Sequence, residues 1–395
     1  MRVAIIAPPW LAMPINGYGG IEVVLEGLVS GLIKLGVDVE IFGNGERKIR
    51  GVKTHSIYKV EQYYNIDRPS YESLPISSAH IEFALNKIKQ DGKFDIIHDH
   101  NGYYGPELLA WATQNLKLPP VIHTLHGPPF SNEATISRGL PDNRPFWEQF
   151  GENMGRVYIV GISDNLMKPA PKTMTGHMLP TVYNAVEIKR FPFVVDKKNY
   201  FVTLGRFARD KGQDVAAKIC AKRGFRLRMA GTINGIGSNR KLLTELANPL
   251  SPYRHYNDFR YYSDKILPYT LKYEKISYSG NLGFARKMKF LSEARALLFP
   301  IDWEEPFGMV VIEALACGTP VVAMNRGSMP EIIEHGVNGF LANDEKEFEE
   351  YIDRIDEIDP HFCRKSVEDR FSADSMAAAY LERYKQAIKL NGKEV

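Results

Sequence analysis

The segment Phe299 to Met324, FPIDWEEPFGMVVIEALACGTPVVAM, constrains the chain more than any other. An apolar run closes at Pro300, and Glu305-Pro306-Phe307-Gly308 turns into a helix. Met309 to Cys317 is apolar on nearly every side, so this helix must be buried. Gly318 suits its C-terminal stop, and Pro320 opens a following strand. Two glutamates sit in this apolar setting. Glu305 precedes the helix, and Glu313 lies about two turns along it. Helical side chains lean toward the N-terminus, so Glu313 points back to the end that Glu305 borders. Gly308, Met309 and Val310 supply backbone N–H groups and the positive end of the helix dipole. Such an end holds a phosphate, and carboxylates beside it accept hydrogen bonds from hydroxyls. A sugar nucleotide presents both groups. Read by itself, the same pattern is also a buried helix, with Glu305 complementing the dipole and Glu313 satisfied by a core arginine.

The form WEEPFGMVVIEALACGTPVVA resembles the E-x7-E signature of retaining glycosyltransferases of family 4, which have the GT-B fold. The phrases FPIDWEEPFGM and HTLHGPP resemble the branch that contains the avilamycin-pathway transferase. The resemblance spans nearly the whole chain and is most specific over 200–340.

Length agrees with two domains. At 395 residues the chain exceeds one ordinary core and suits two domains of roughly 200 residues each. A net charge of +3 without a long basic run argues against nucleic acid. The charges balance over the first half, and the surplus falls in the second. Cys220, Cys317 and Cys363 lack metal-ligand spacing and read as buried thiols in a reducing, cytoplasmic setting. MRVAIIAPPW is a first strand rather than a signal peptide. No run of about 18 apolar residues offers a membrane span.

Arg2 to Ala7, Ile21 to Leu35 and Val37 to Phe42 form a βαβ opening on a parallel sheet. Gly19-Gly20 stands before the helix as a tight turn, or as a close approach to a ligand. Asn65 to Ser78 reads as loop, Ile81 to Lys89 as helix, and Phe94 to His98 as strand. His98-Asp99-His100 suggests hydrogen bonding rather than metal binding, since consecutive residues at a strand end converge poorly. Val121 to Leu125 is a strand, and His126 follows at its carboxyl end, where such sheets meet ligands. Alternation keeps His123 inside the strand.

In the second half, Phe191 to Asn199 reads as a linker and Tyr200 to Leu204 as a new first strand. Gly205-Arg206 and Lys211-Gly212 follow; alone they make a solvated basic turn. Beside the E-x7-E helix they would neutralise charge growing on a leaving diphosphate. Arg209 reads as exposed. Gly231-Thr232 and Gly280-Asn281 lie in later βα loops. Lys287 is a family-type lysine or a solvated one. Pro249 to Tyr273, rich in tyrosine and charge, has no clear reading. Asp374 to Leu390 is a long terminal helix.

The family resemblance implies two facing Rossmann-like domains, 1–192 with helix 376–392 and 193–375, with a site in the cleft. It implies a hexose moved from a nucleotide diphosphate sugar, UDP-glucose by family frequency, to a hydroxyl acceptor, with no metal and no cofactor. Arg206, Lys211, Gly19, Gly20 and the helix start at Gly308 to Val310 would hold the diphosphate. Glu313 would take the ribose, Gly231, Thr232, Gly280 and Asn281 the rest of the nucleotide, Glu305 the sugar hydroxyls, and His126 the reacting centre. Loops at Trp10 to Tyr18, Asn65 to Ser78 and Asn132 to Asp142 would shape the acceptor pocket. A sugar-nucleotide epimerase, a phosphorylase and a silent nucleotide-sugar-binding protein stay open as alternatives. So do a lipid-linked acceptor reached by peripheral membrane contact, and a monomer or homodimer.

Overall fold

Val3, Ala4, Ile5 and Ile6 are all fully buried. A strand buried on both faces reads as continuous apolar sequence, as central strands of parallel sheets do. This strand, β1 (Arg2–Ile6), sits within a seven-stranded sheet. The others are β2 (Asp38–Phe42), β3 (Lys53–His55), β4 (Ile96–Asp99), β5 (Val121–Leu125), β6 (Val157–Gly161) and β7 (Met178–Leu179), in the order β3-β2-β1-β4-β5-β6-β7. Every pairing is parallel. In this computed structural model the described residues are 1–15, 19–66, 68–102, 104–132, 136 and 141–392. Most of the loop expected at Asn132 to Asp142, and Asn16 to Tyr18, lie outside them.

The chain forms two units, Met1–Val186 with Ser372–Val395, and Glu187–Phe371. Helices α1 (Ile21–Lys34), α2 (Ser70–Asp91), α3 (Tyr104–Asn115) and α4 (Arg144–Glu152) belong to the first unit. α2 corrects the loop reading of Asn65 to Ser78. Pro75 stands inside it, but early enough that it forfeits a single backbone bond rather than ending the helix. The first turns are solvent-facing, with Tyr71 76% exposed, so no apolar period marked them.

The second unit holds a six-stranded parallel sheet ordered β10-β9-β8-β11-β12-β13. These are β8 (Lys198–Leu204), β9 (Leu227–Ala230), β10 (Ile276–Tyr278), β11 (Ala294–Phe299), β12 (Val321–Met324) and β13 (Gly339–Ala342). Its helices include α5 (Gln213–Arg223), α6 (Phe284–Ser292) and the almost wholly buried α7 (Met309–Ala316). Residues 191–197 are not a free linker. Phe191 is buried, Val194 N–H donates to Cys317 O, and Lys197 donates to the carbonyls of Ser292 and Cys317. The unread stretch 249–273 is helical, with Asn257–Tyr261 and Leu267–Lys272 flanking one wider turn. Its Phe259, Tyr261 and Tyr262 are buried, and the Tyr261 hydroxyl donates to Asp214 at 2.6 Å.

The terminal helix α8 (Ala373–Leu390) returns to the first unit and packs on α1. Tyr380 and Tyr384 on its inner face are buried to 2% exposure or less. Their hydroxyls meet Thr124 and His98 at 2.8 and 2.7 Å. Ala373 N–H donates to Val186 O at 3.1 Å, so the residues where the chain leaves and re-enters the unit lie side by side.

Candidate active site

Because every strand of the second unit runs parallel, the loops after β8 to β12 emerge at one edge of its sheet, the edge where α/β sheets meet ligands. The chain turns from Glu305 into α7 through Gly308, whose φ of 84° is one that L side chains rarely adopt. Met309 and Val310, at the tip of the helix, are half-exposed, whereas the rest of α7 is buried. Glu305 and Glu313 are 9% and 7% exposed.

Acids so deeply set require counter-charges. Lys211 Nζ lies 2.5 Å from Glu305 Oε2 and 4.5 Å from the centre of the Trp303 ring. Trp303 Nε1 donates to the same oxygen at 2.8 Å. Glu305 is also pinned by its backbone, since Ser328 N–H donates to its carbonyl at 2.9 Å. Glu313 is paired with Lys287 of α6 at 2.6 Å. Neither glutamate is satisfied by an arginine; lysines from two different loops or helices supply both charges.

The loop after β8 is held in several ways. Asp302 N–H donates to Asp210 O at 2.8 Å, and Gln213 Nε2 to Arg206 O at 2.9 Å. Arg206 is exposed, and its guanidinium lies 2.6 Å from Asp258 and 3.7 Å from Asp210. Arg209 is exposed as well. Gly231 has a φ of 147°, and a Cβ there would collide with Gly205 O. Tyr278 donates to its carbonyl at 2.8 Å, and Gly231 N–H to Gly280 O at 3.0 Å. Thr232 is half-buried and Asn281 exposed. Lys197 hydrogen-bonds Thr319 as well as the carbonyls behind α7, opposite to the helix start. Burial pushes it down to about 8.

In the first unit, Gly19 and Gly20 precede α1, and Gly20 is exposed. His126 follows β5, partly exposed, with Nε2 2.8 Å from Nδ1 of buried His100. The His98 ring packs on His100 at 4.0 Å between centroids. Its own nitrogens meet Tyr384 and Thr124. His123 and Asp99, both buried, pair at 2.6 Å. Desolvation pushes His126 down to about 3 and drives His98 and His100 well below the ordinary imidazole range. The imidazoles are occupied with one another, with hydroxyls and with Asp99. Among the described residues no group of three or more histidine, cysteine or acidic side chains has the geometry to hold a metal.

Sequence reading missed Trp303 and Asp258 as partners of Glu305 and Arg206, and gave His100 a hydrogen-bonding role without naming His126 as its partner. Trp303 reaches Glu305 from two residues away, whereas Asp258 and His100 reach their partners across the fold. Only the family-type spacing of Lys287 carried any signal.

Residues 18–161 match the family model described as Glycosyltransferase Family 4, and residues 186–364 match Glycosyl transferases group 1. The chain is 23% identical over its full length, and over the full length of the relative, to an uncharacterized glycosyltransferase of Methanocaldococcus jannaschii. Among solved structures, sucrose-phosphate synthase of Thermosynechococcus elongatus superposes with a TM-score of 0.71 at 19% identity, covering 98% of this chain and 99% of that one. The HepE protein of Anabaena, solved with UDP-glucose, gives 0.63 at 16% identity, covering 98% and 100%. These likenesses show the GT-B fold. No helix among the described residues is long and apolar enough to cross a membrane.

Proposed function

The chain, with a Glycosyltransferase Family 4 region followed by a Glycosyl transferases group 1 region, is a GT4-like glycosyltransferase, and from that premise we propose that it moves a hexose from a nucleoside diphosphate sugar to a hydroxyl acceptor with retention at the anomeric carbon. The observation that carries this reading is the pair of near-buried carboxylates at one sheet edge, each held by its own lysine beside the start of α7. Lys211 and Arg206, with the N–H groups of Gly308 to Val310, take the diphosphate and stabilise the charge that grows as the sugar leaves. Glu313 accepts from the ribose hydroxyls. Glu305 accepts from the hexose hydroxyls, and His126 contacts the transferred sugar. Gly19 and Gly20 approach the diphosphate, and Gly231, Thr232, Gly280 and Asn281 border the nucleotide.

Glu305 is an anchored acceptor rather than an attacking group, because one of its oxygens already takes Lys211 and Trp303. That supports a front-face route in which a donor phosphate oxygen receives the acceptor's proton. UDP-glucose is the donor to try first, given the ligand held by HepE. The avilamycin-type branch, carried by FPIDWEEPFGM and HTLHGPP, is part of the same proposal.

The test is a nucleotide-sugar binding screen followed by mass-spectrometric acceptor screening. Nucleoside diphosphate should appear only when acceptor is present, and Glu313→Gln should cut kcat/KM by about 100-fold, the scale of losing one well-placed polar contact. Diphosphate release without acceptor would favour an epimerase or hydrolase. Donor binding with no turnover across the acceptor set would favour a silent binding protein.

A further inference from the structure

His100 is 2% exposed. Its Nδ1 faces His126 Nε2 at 2.8 Å, and its Nε2 is buried with no hydrogen-bond partner among the described residues. Two neutral tautomer patterns satisfy that contact. If His126 donated through Nε2–H, His100 would accept at Nδ1 and carry its own proton on Nε2, leaving an orphaned N–H in the core. If His100 donates through Nδ1–H, its Nε2 is a bare lone pair. Buried N–H groups without acceptors are rarer than under-satisfied acceptors, so the second pattern prevails. With Nε2 accepting, the neutral His126 ring carries its proton on Nδ1. Unlike buried His100, His126 is partly exposed.

We infer that His100 is a positioning residue that fixes His126 as a neutral Nδ1–H hydrogen-bond donor to the transferred sugar; this rests on the reading that His126 touches that sugar. His126 then acts through a donated hydrogen bond and not as a general base, since its basic lone pair is already used. His98 packs against His100 with the two ring planes tilted by 45°, and is itself held at both nitrogens by Tyr384 and Thr124. Burial, which holds all three rings in the neutral form, agrees with a donor that needs no charge.

The tautomer is readable without substrate. In the full-length, donor-free protein labelled with 15N-histidine, long-range proton–nitrogen correlation should show His126 with Nδ1 protonated and Nε2 bare. The His126 signals are assigned from their loss in His126→Gln. A protonated Nε2 on His126 would overturn the inference whatever the activity. His100→Asn keeps an amide donor where Nδ1–H stands, and should keep the tautomer and hold kcat within about threefold. His100→Leu preserves apolar volume but no donor. It should mix the tautomers and lower kcat about tenfold, the worth of one hydrogen bond, with donor KM little changed. Greater loss in the asparagine variant than in the leucine variant would mean that His100 only fills space, and would also overturn it. Unchanged transfer by His126→Leu, which has no donor, with the tautomer as inferred in the parent, would instead refute the sugar contact on which the inference is built.

Discussion

At the carboxyl edge of its sheet the first unit gathers imidazoles, and at the corresponding edge the second gathers ion pairs. The two solve the burial of polar groups in opposite ways. Among the described residues His98, His100 and His126 have no counter-charge of their own, and desolvation leaves them uncharged. Glu305 and Glu313 are nearly buried and keep lysines at 2.5 and 2.6 Å. Neutral rings cost little to bury and carry direction through their tautomers. Fixed charges cost more to bury, and removing either partner leaves the other uncompensated. Under the function proposed above, a nucleoside diphosphate would be met at the second edge and an uncharged sugar at the first.

The sharpest way to break this contrast is at Lys211. Removing it leaves Glu305 nearly buried without its cation, which costs about 3 kcal/mol of stability on top of the catalytic loss. Lys211→Met should therefore abolish transfer and also lower the denaturant midpoint. Adding Glu305→Gln should recover most of the midpoint while activity stays absent. A single variant as stable as the parent would show that the pair is not a buried one.

Acid should separate the units next. Above about pH 6.5 His80, His98, His100 and His126 are neutral whether the chain is folded or not. Below that pH the unfolded chain binds protons that the folded one refuses, so stability falls as pH falls, by up to about 1.4 kcal/mol per pH unit for each such histidine. For His126 the decline continues down to about pH 3. The second unit's His255, His335 and His361 are all exposed. Limited proteolysis between about pH 7.5 and 5 should open residues 1–186 before 187–371, and the reverse order would undo the comparison.

Tyr384→Phe deletes one buried hydroxyl and leaves His98 Nδ1 unpaired, which should cost about 1 to 2 kcal/mol in urea unfolding. The smallest effect belongs to the surface. Lys222 pairs with Glu349 at 2.9 Å but is 66% exposed, and Lys222→Ala should cost less than about 0.5 kcal/mol, vanishing at high salt. A loss comparable to that of Lys211→Met would remove burial as the reason for the difference.

What the sequence disclosed follows the same division. β1, β5, β11 and α7 were legible because they are buried on nearly all sides, and continuous apolar runs announce themselves. The turn at Gly308, the acids on either side of it and His126 at a strand end were legible from spacing. α2 was hidden in its first turns because they are exposed and contain Pro75. The 249–273 helices were hidden because short segments with an irregular turn carry no period. The partners were hidden for a different reason. Lys287 lies 26 residues from Glu313, and Tyr384 lies 286 from His98. Which side chain answers which is decided only after the sheets assemble.

The return of α8 has a consequence for biosynthesis. As the polypeptide leaves the ribosome, the seven strands of the first sheet are available long before the tyrosines that complete their interior. At roughly 5–20 residues per second the whole second lobe takes on the order of 10–40 s to synthesise before α8 can follow. During that interval the nascent amino-terminal lobe has an open hydrophobic seam along α1 and β5. A premature stop just before Ser372 would make that seam permanent, yielding an intact carboxyl lobe tethered to a partner that cannot close and is a client for chaperones.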